Sequence, residues 1–182
     1  MDVKYISPFV DAVAKVMPEI GFQNIRRGRL TVGEDNKINS LGVMVVVGIT
    51  HEIKGNIAYN FTLEAAKKIT STMMMGMPVE NFDQMAESAL AELGNMLTAR
   101  AAIIFEQNNI KIDISPPNVI VGQNCTSMVS AKRIVVEMFA DDIPMAVNIA
   151  IVIVRRLRPA GSELPCCRFL TGLMLPTRKW KG

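Results

Sequence analysis

Glu92 and Asn95 are the two residues of this 182-residue chain whose types and spacing best suit chemistry. A carboxylate and a carboxamide at i and i+3 stand together on one face of a helix. Around them lie Ser88, one turn earlier, and the small residues Ala91, Ala99 and Ala102. An ordinary solvated helix face would carry Lys, Arg, Glu and Gln there. A smooth face with two polar groups can accept another protein closely and push those groups into its cleft. A plain solvated surface fits the same two residues. The adjacent Gly94-Asn95 pair weighs toward a purpose, because Gly costs about 1 kcal/mol and Asn roughly half that against Ala inside a helix.

These residues need a helix, and the longest helical pattern of the chain runs from about 81 to 107. At 100° per residue, Ala86, Leu90, Leu93, Leu97, Ala101 and Ile104 gather on one stripe, which predicts a buried face. Ser88, Glu92, Asn95, Ala99 and Glu106 then point to solvent. Earlier in the chain, residues 5–17 place Phe9, Val13, Val16 and Met17 on a second helical stripe, with Pro8 suited to the first turn. Leu41 to Ile49 and Asn56 to Phe61 read as two strands of a hairpin, with a polar turn around Glu52 to Gly55. Thr62 reads as an N-cap for a helix over 63–75, with Gly76 as its stop and Pro78 beyond. Met73 to Met75 read as adaptable core filling at that helix end rather than a soft binding surface. Ile110–Ile114, Val119–Val121, Lys132–Phe139 and Met145–Val154 are further strand candidates, with Asp141-Asp142-Ile143-Pro144 as a turn. Together these predict an α+β fold: one mainly antiparallel sheet with long helices packed on one face.

Composition removes many other chemistries. The chain is 49% hydrophobic and 5% aromatic, and its single histidine, His51, excludes His-rich metal sites. Its three cysteines, Cys125, Cys166 and Cys167, match no disulfide framework, CxxC pair or zinc site. No phosphate-binding GxxxxGK loop, GxGxxG turn or GxSxG elbow is present. No apolar run approaches the ~18 residues of a membrane span, and no signal peptide is apparent. A soluble, cytoplasmic protein without a metal or cofactor of its own is the expectation. An enzyme of this composition would use ordinary polar groups on a partner that carries its own reactive centre.

The sequence Ser88-Ala-Leu-Ala-Glu92-Leu-Gly-Asn95-Met resembles the D/S-x-x-x-E-x-x-N signature of the CheC/CheX/FliY chemotaxis phosphatases. Its surroundings look like the CheX branch. Gly48-Ile49-Thr50 followed by Gly55-Asn56-Ile57-Ala58-Tyr59-Asn60-Phe61 is similar to that branch's hairpin, and Met74-Met75-Gly76-Met77 and Asp113-Ile114-Ser115-Pro116-Pro117 also match the family's pattern. The likeness runs in order over roughly residues 1–154.

The resemblance implies hydrolysis of the aspartyl phosphate of a CheY-type response regulator. It makes Glu92 the carboxylate that pairs with the regulator's active-site lysine and Asn95 the group that orients the attacking water. Ser88, Ala91 and Ala99 would lie in the contact with the regulator, which brings its own Mg²⁺. Residues 11–18 carry Lys15 and Pro18 where a second Glu and Asn would be needed, so one active centre per chain is implied. A homodimer joined through the sheet is implied too. The competing reading is a non-catalytic adaptor of the same fold that binds a response regulator or a flagellar-switch component. A third, nucleic-acid binding through Arg26, Arg27 and Arg29, lacks any aromatic stacking pattern and gives way to a basic turn in solvent. His51 reads as a solvated residue at the hairpin turn.

The formal charge of +3 is unevenly spread. Residues 155–182 hold seven basic residues and one acid, which leaves 13 basic and 16 acidic residues over 1–154. The chain therefore divides into a mildly acidic domain, 1–154, and a basic irregular tail, 155–182, beyond the family likeness. Neither nucleic acid nor membrane is an expected partner.

Overall fold

Strand by strand, the alternation of side chains decides which face is covered. The computed structural model describes residues 3–33, 37–123, 125–129 and 132–154. The basic tail, its Cys166-Cys167 pair and the expected boundary after residue 154 lie outside the described residues. The expected hairpin forms from β3 (Gly42–His51) and β4 (Ile53–Thr62), paired from Gly42 opposite Thr62 to Ile49 opposite Gly55. Its turn is tighter than the polar run suggests. The strands reverse at Glu52, with His51 at φ +90°, and Gly55 is already inside β4. A Cβ on Gly55 would strike the Ala150 carbonyl of the next strand, so the residue belongs to sheet packing.

That next strand is β9 (Ile143–Ile153), followed outward by β8 (Arg133–Ala140) and β1 (Ile25–Gly33). On the other side of the hairpin, β5 (Ile112–Ile114) and β6 (Asn118–Val121) both pair with β3. The result is a seven-stranded sheet in the order β1-β8-β9-β4-β3-β5, with β6 also on β3 and all pairings antiparallel.

Three helices cover one face: α1 (Ser7–Glu19), α2 (Leu63–Met73) and α3 (Gln84–Gln107). The architecture is α+β, as expected. The main core joins Phe9, Val13 and Met17 of α1, Ile69 of α2 and Leu90, Leu93 and Leu97 of α3. They pack on Val43, Val45, Ile57, Tyr59, Val136, Val147 and Ile149 of the sheet. Thr62 caps α2 as its type predicts, accepting from the Ala65 N–H at 3.2 Å, and Gly76 closes the following turn by donating to the Ser71 carbonyl at 2.8 Å. The methionine run splits. Met73 packs against the core, whereas Met75 is 99% exposed, so it fills no core space.

The opposite sheet face was not foreseen as covered. A short ribbon of β2 (Lys37–Asn39) and β7 (Thr126–Met128) lies over its middle, burying Ile38 and Val129 against Met44, Ala58 and Ala150.

The segment with Arg26, Arg27 and Arg29 is also different from expectation. It is the edge strand β1, with an irregularity between Arg27 and Leu30, and not a turn. Charged side chains and a bulge are usual on an edge strand, where they discourage pairing with other chains. Arg26 lies over the Phe139 ring at 5.7 Å and pairs with Asp142 at 3.3 Å. The β8–β9 turn is confined to Asp141 and Asp142, because Ile143 and Pro144 are already in β9.

Asp141 fastens this corner. Its carboxylate accepts from the Asn24 N–H at 2.8 Å, the Gln23 N–H at 3.2 Å and the Asn24 side-chain amide at 3.3 Å. Those bonds, the Asn24 N–H foremost, hold its carboxyl below the usual carboxylate value of 3.8. A lowered folded pKa means the stabilisation is complete above the unfolded value and disappears as pH falls through the folded one. Asp141→Asn is a clean control, since Asn also tolerates the observed φ of 49°. The variant should unfold more easily than wild type in urea at pH 7, with the gap closing as pH falls below the usual carboxylate value of 3.8. A gap that is constant with pH would remove the charge from the explanation.

Candidate functional site

α3 starts at Asp83, whose side chain accepts from the Ala86 N–H at 3.0 Å, so the helical pattern expected from 81 begins three residues later. Its inner stripe is Ala86, Leu90, Leu93, Gly94, Leu97, Thr98, Ala101 and Phe105. Phe105 replaces the expected Ile104, which is only half-buried. The cause is α1, against which α3 packs: Phe9 meets Phe105 edge-on with ring centroids 5.3 Å apart, so the stripe turns toward α1 at that end. Arg100 adds a second tie to α1 through Glu19 at 2.6 Å.

With the inner stripe fixed, the outer face follows. Glu92 and Ser88 are exposed, and Asn95, Ala91, Ala99 and Ala102 are half-buried. Asn95 is thus less open than its position on a bare helix suggests. The Ser88 hydroxyl donates to the Gln84 carbonyl one turn back at 2.8 Å, so its hydrogen is engaged within the helix. Among the described residues, the side chains of Glu92 and Asn95 make no hydrogen bond and no ion pair. The pair stands beside small side chains, one turn apart, with its polar atoms available to another molecule.

Two surface depressions of about 590 and 480 Å³ are lined elsewhere, by α2 residues such as Lys67 and Ser71 and by the Asn24–Asp141 corner. Neither includes Glu92 or Asn95. A pair on a convex helix face suits a substrate that supplies its own cleft, such as a folded protein.

Sequence reasoning missed two neighbours of this face. Met85 and Ile103 are 60% and 49% exposed, seven residues before and eleven after Glu92. Those spacings return each to within about 20° of the Glu92 direction, so the signal was in the sequence. They bracket the polar pair with exposed apolar side chains. The remaining highlighted residues are elsewhere: His51 is exposed at the hairpin turn, with Nδ1 3.9 Å from Asp113 Oδ2. Cys125 is a half-buried free thiol. No helix of the described residues is long and apolar enough to cross a membrane.

A family model described as chemotaxis phosphatase CheX matches residues 43–139, a stretch that runs from β3 to β8 and contains all of α3. The CheY-P phosphatase CheX of Thermotoga maritima is 33% identical over 125 residues, covering 68% of this chain and 79% of that one. The crystal structure of a chemotaxis protein CheX from Desulfovibrio desulfuricans has the same fold, with a TM-score of 0.72 at 23% identity over 82% of this chain and 99% of that one. The crystal structure of the CheX-CheY-BeF3-Mg+2 complex from Borrelia burgdorferi contains a chain similar at 26% identity with a TM-score of 0.66, over 81% of this chain and 97% of that one.

Proposed function

The chain belongs to the CheX family of chemotaxis phosphatases, and on that footing we propose that it hydrolyses the aspartyl phosphate of a CheY-type response regulator, with Glu92 and Asn95 as its working residues. The observation that carries the assignment of residues is the outward face of α3. It offers one carboxylate and one carboxamide, one turn apart and without partners among the described residues.

An acyl phosphate is already activated, so the phosphatase need only hold one water in line with the bond to be broken. The Asn95 carboxamide can accept a hydrogen bond from that water and donate one to a phosphoryl oxygen. Glu92 pairs with the regulator's active-site lysine and so sets the depth to which α3 enters the cleft. The flat surface of Ser88, Ala91 and Ala99 lets the helix approach closely. The regulator brings its own Mg²⁺, and the reaction takes place in the cytoplasm. A homodimer joined through the sheet belongs to the same proposal, and β1 offers a sheet edge for it with Leu30 and Val32 exposed.

The test follows the decay of a phosphorylated CheY-type receiver with and without the protein. Faster decay supports the phosphatase; binding without acceleration would leave an adaptor. Glu92→Lys places two cations together at the docking site, where losing a desolvated charge pair costs about 2–5 kcal/mol. It should therefore raise KM for the phosphorylated receiver at least about ten-fold. An unchanged KM in steady-state assays would take Glu92 out of the contact.

A further inference from the structure

We propose that Tyr59 and Thr98 are positioning residues for Asn95, forming a buried hydroxyl relay from β4 into α3 that fixes the turn on which Asn95 stands. The proposal rests on the reading of Asn95 given above. Tyr59 and Thr98 are both 0% exposed, on facing sides of the sheet–helix contact. Their hydroxyls are 3.1 Å apart, and the Thr98 hydroxyl donates to the Gly94 carbonyl at 2.7 Å. Thr98 has a single hydroxyl hydrogen, which is committed to Gly94, so the Tyr59 phenol is the donor to Thr98. Burial pushes the Tyr59 phenol far above its ordinary pKa and keeps that proton in place.

The relay ends on the peptide unit that matters for the site. The Gly94 carbonyl and the Asn95 nitrogen belong to one planar peptide, so the tilt of that carbonyl sets the direction from which the Asn95 side chain departs. A threonine bonding back to the i−4 carbonyl competes with the helix's own bond to that oxygen, and here it does so across the turn 94–98. Close approach makes the relay possible. The Gly94 α-carbon is so near the sheet that a Cβ there would be 2.5 Å from Val45 Cγ1 and 3.8 Å from Tyr59 Cδ2. An apolar pair of the same shape would fill the space with no polar group to satisfy. The hydroxyls add direction, tying the rotation of α3 at Asn95 to the sheet.

The experiment compares wild type, Thr98→Ser, Thr98→Val and Tyr59→Phe/Thr98→Val for kcat, KM, thermal midpoint and the NMR signals of the Asn95 side-chain amide. Thr98→Val alone leaves the Tyr59 hydroxyl buried without a partner and so lowers stability as well as activity. The double replacement removes both hydroxyls and should recover most of the thermal midpoint. Its kcat should stay down about ten-fold with KM within roughly two-fold of wild type, and its Asn95 amide signals should shift. Thr98→Ser keeps the hydroxyl and should keep wild-type kcat and amide signals. A double variant with wild-type kcat, or with unmoved Asn95 signals, overturns the proposal. So does Thr98→Ser losing as much as Thr98→Val. Wild type that leaves the receiver's decay unchanged, while the Asn95 signals shift as expected, would overturn the assigned reaction and keep the relay.

Discussion

Asn95→Ala should remove most of the acceleration of receiver dephosphorylation while leaving the fold intact. The carboxamide supplies the proposed hydrogen bonds to water and phosphoryl oxygen, and alanine can make neither. Loss of one such positioned group costs about 10²–10³-fold in turnover. Stability moves little and in the opposite direction. The Asn95 side chain has no partner among the described residues, and alanine is the better helix former by about 0.5 kcal/mol. Urea unfolding should therefore show a variant as stable as wild type or slightly more so. Asn95→Asp sharpens the point, because a carboxylate next to Glu92 can neither donate to a phosphoryl oxygen nor approach it without repulsion. Full activity in Asn95→Ala would end the assignment of this residue.

What the sequence shows of the fold depends on whether the burial of an element is decided locally. The hairpin and α2 are legible because alternation, the Thr62 cap and the Gly76 stop all lie within the segments they define. β1 is not, since Arg26-Arg27-Gly28-Arg29 has no alternation, and only the neighbouring strand makes it one. There Arg26 gains the Phe139 ring, and the Arg29 N–H donates to Glu137 Oε2 at 3.3 Å. The β2–β7 ribbon is less legible still: three residues pair with three across some ninety positions of chain, with no turn signal between them. The end of α3 illustrates the same limit at finer scale. A regular wheel through the other buried positions favours Ile104, and the packing of α1 gives burial to Phe105 instead.

The candidate site was legible in outline, because i and i+3 spacing places Glu92 and Asn95 together whatever surrounds the helix. What spacing cannot give is the other side of α3. Gly94 and Asn95 read alike as poor helix formers, yet the structure separates them: Asn95 faces outward, and Gly94 is buried against Val45 and Tyr59. The Tyr59–Thr98 contact joins residues 39 positions apart and has no local signature.

Gly94→Ala turns that separation into a second large expected effect. Helix propensity alone favours alanine by about 1 kcal/mol. Against it stands a Cβ placed 2.5 Å from Val45 Cγ1, on a β-branched, wholly buried side chain with little freedom to turn aside. Overpacking of this kind costs about 1–3 kcal/mol, so packing wins over most of that range and the variant should be destabilised by up to about 2 kcal/mol. At this size that lowers the thermal midpoint by up to about 8 °C. The larger consequence is geometric. The cheapest relief is for α3 to lift from the sheet at residue 94, which lengthens the Tyr59–Thr98 hydrogen bond and carries Asn95 outward. A displacement approaching 1 Å is enough to cost up to about 10²-fold in a positioned reaction. Gly94→Ala should thus lose kcat well beyond what its modest loss of stability explains, when assayed far below its thermal midpoint. A variant more stable than wild type with unchanged kcat would show that the sheet yields at Val45 and that Gly94 does not set the height of the site.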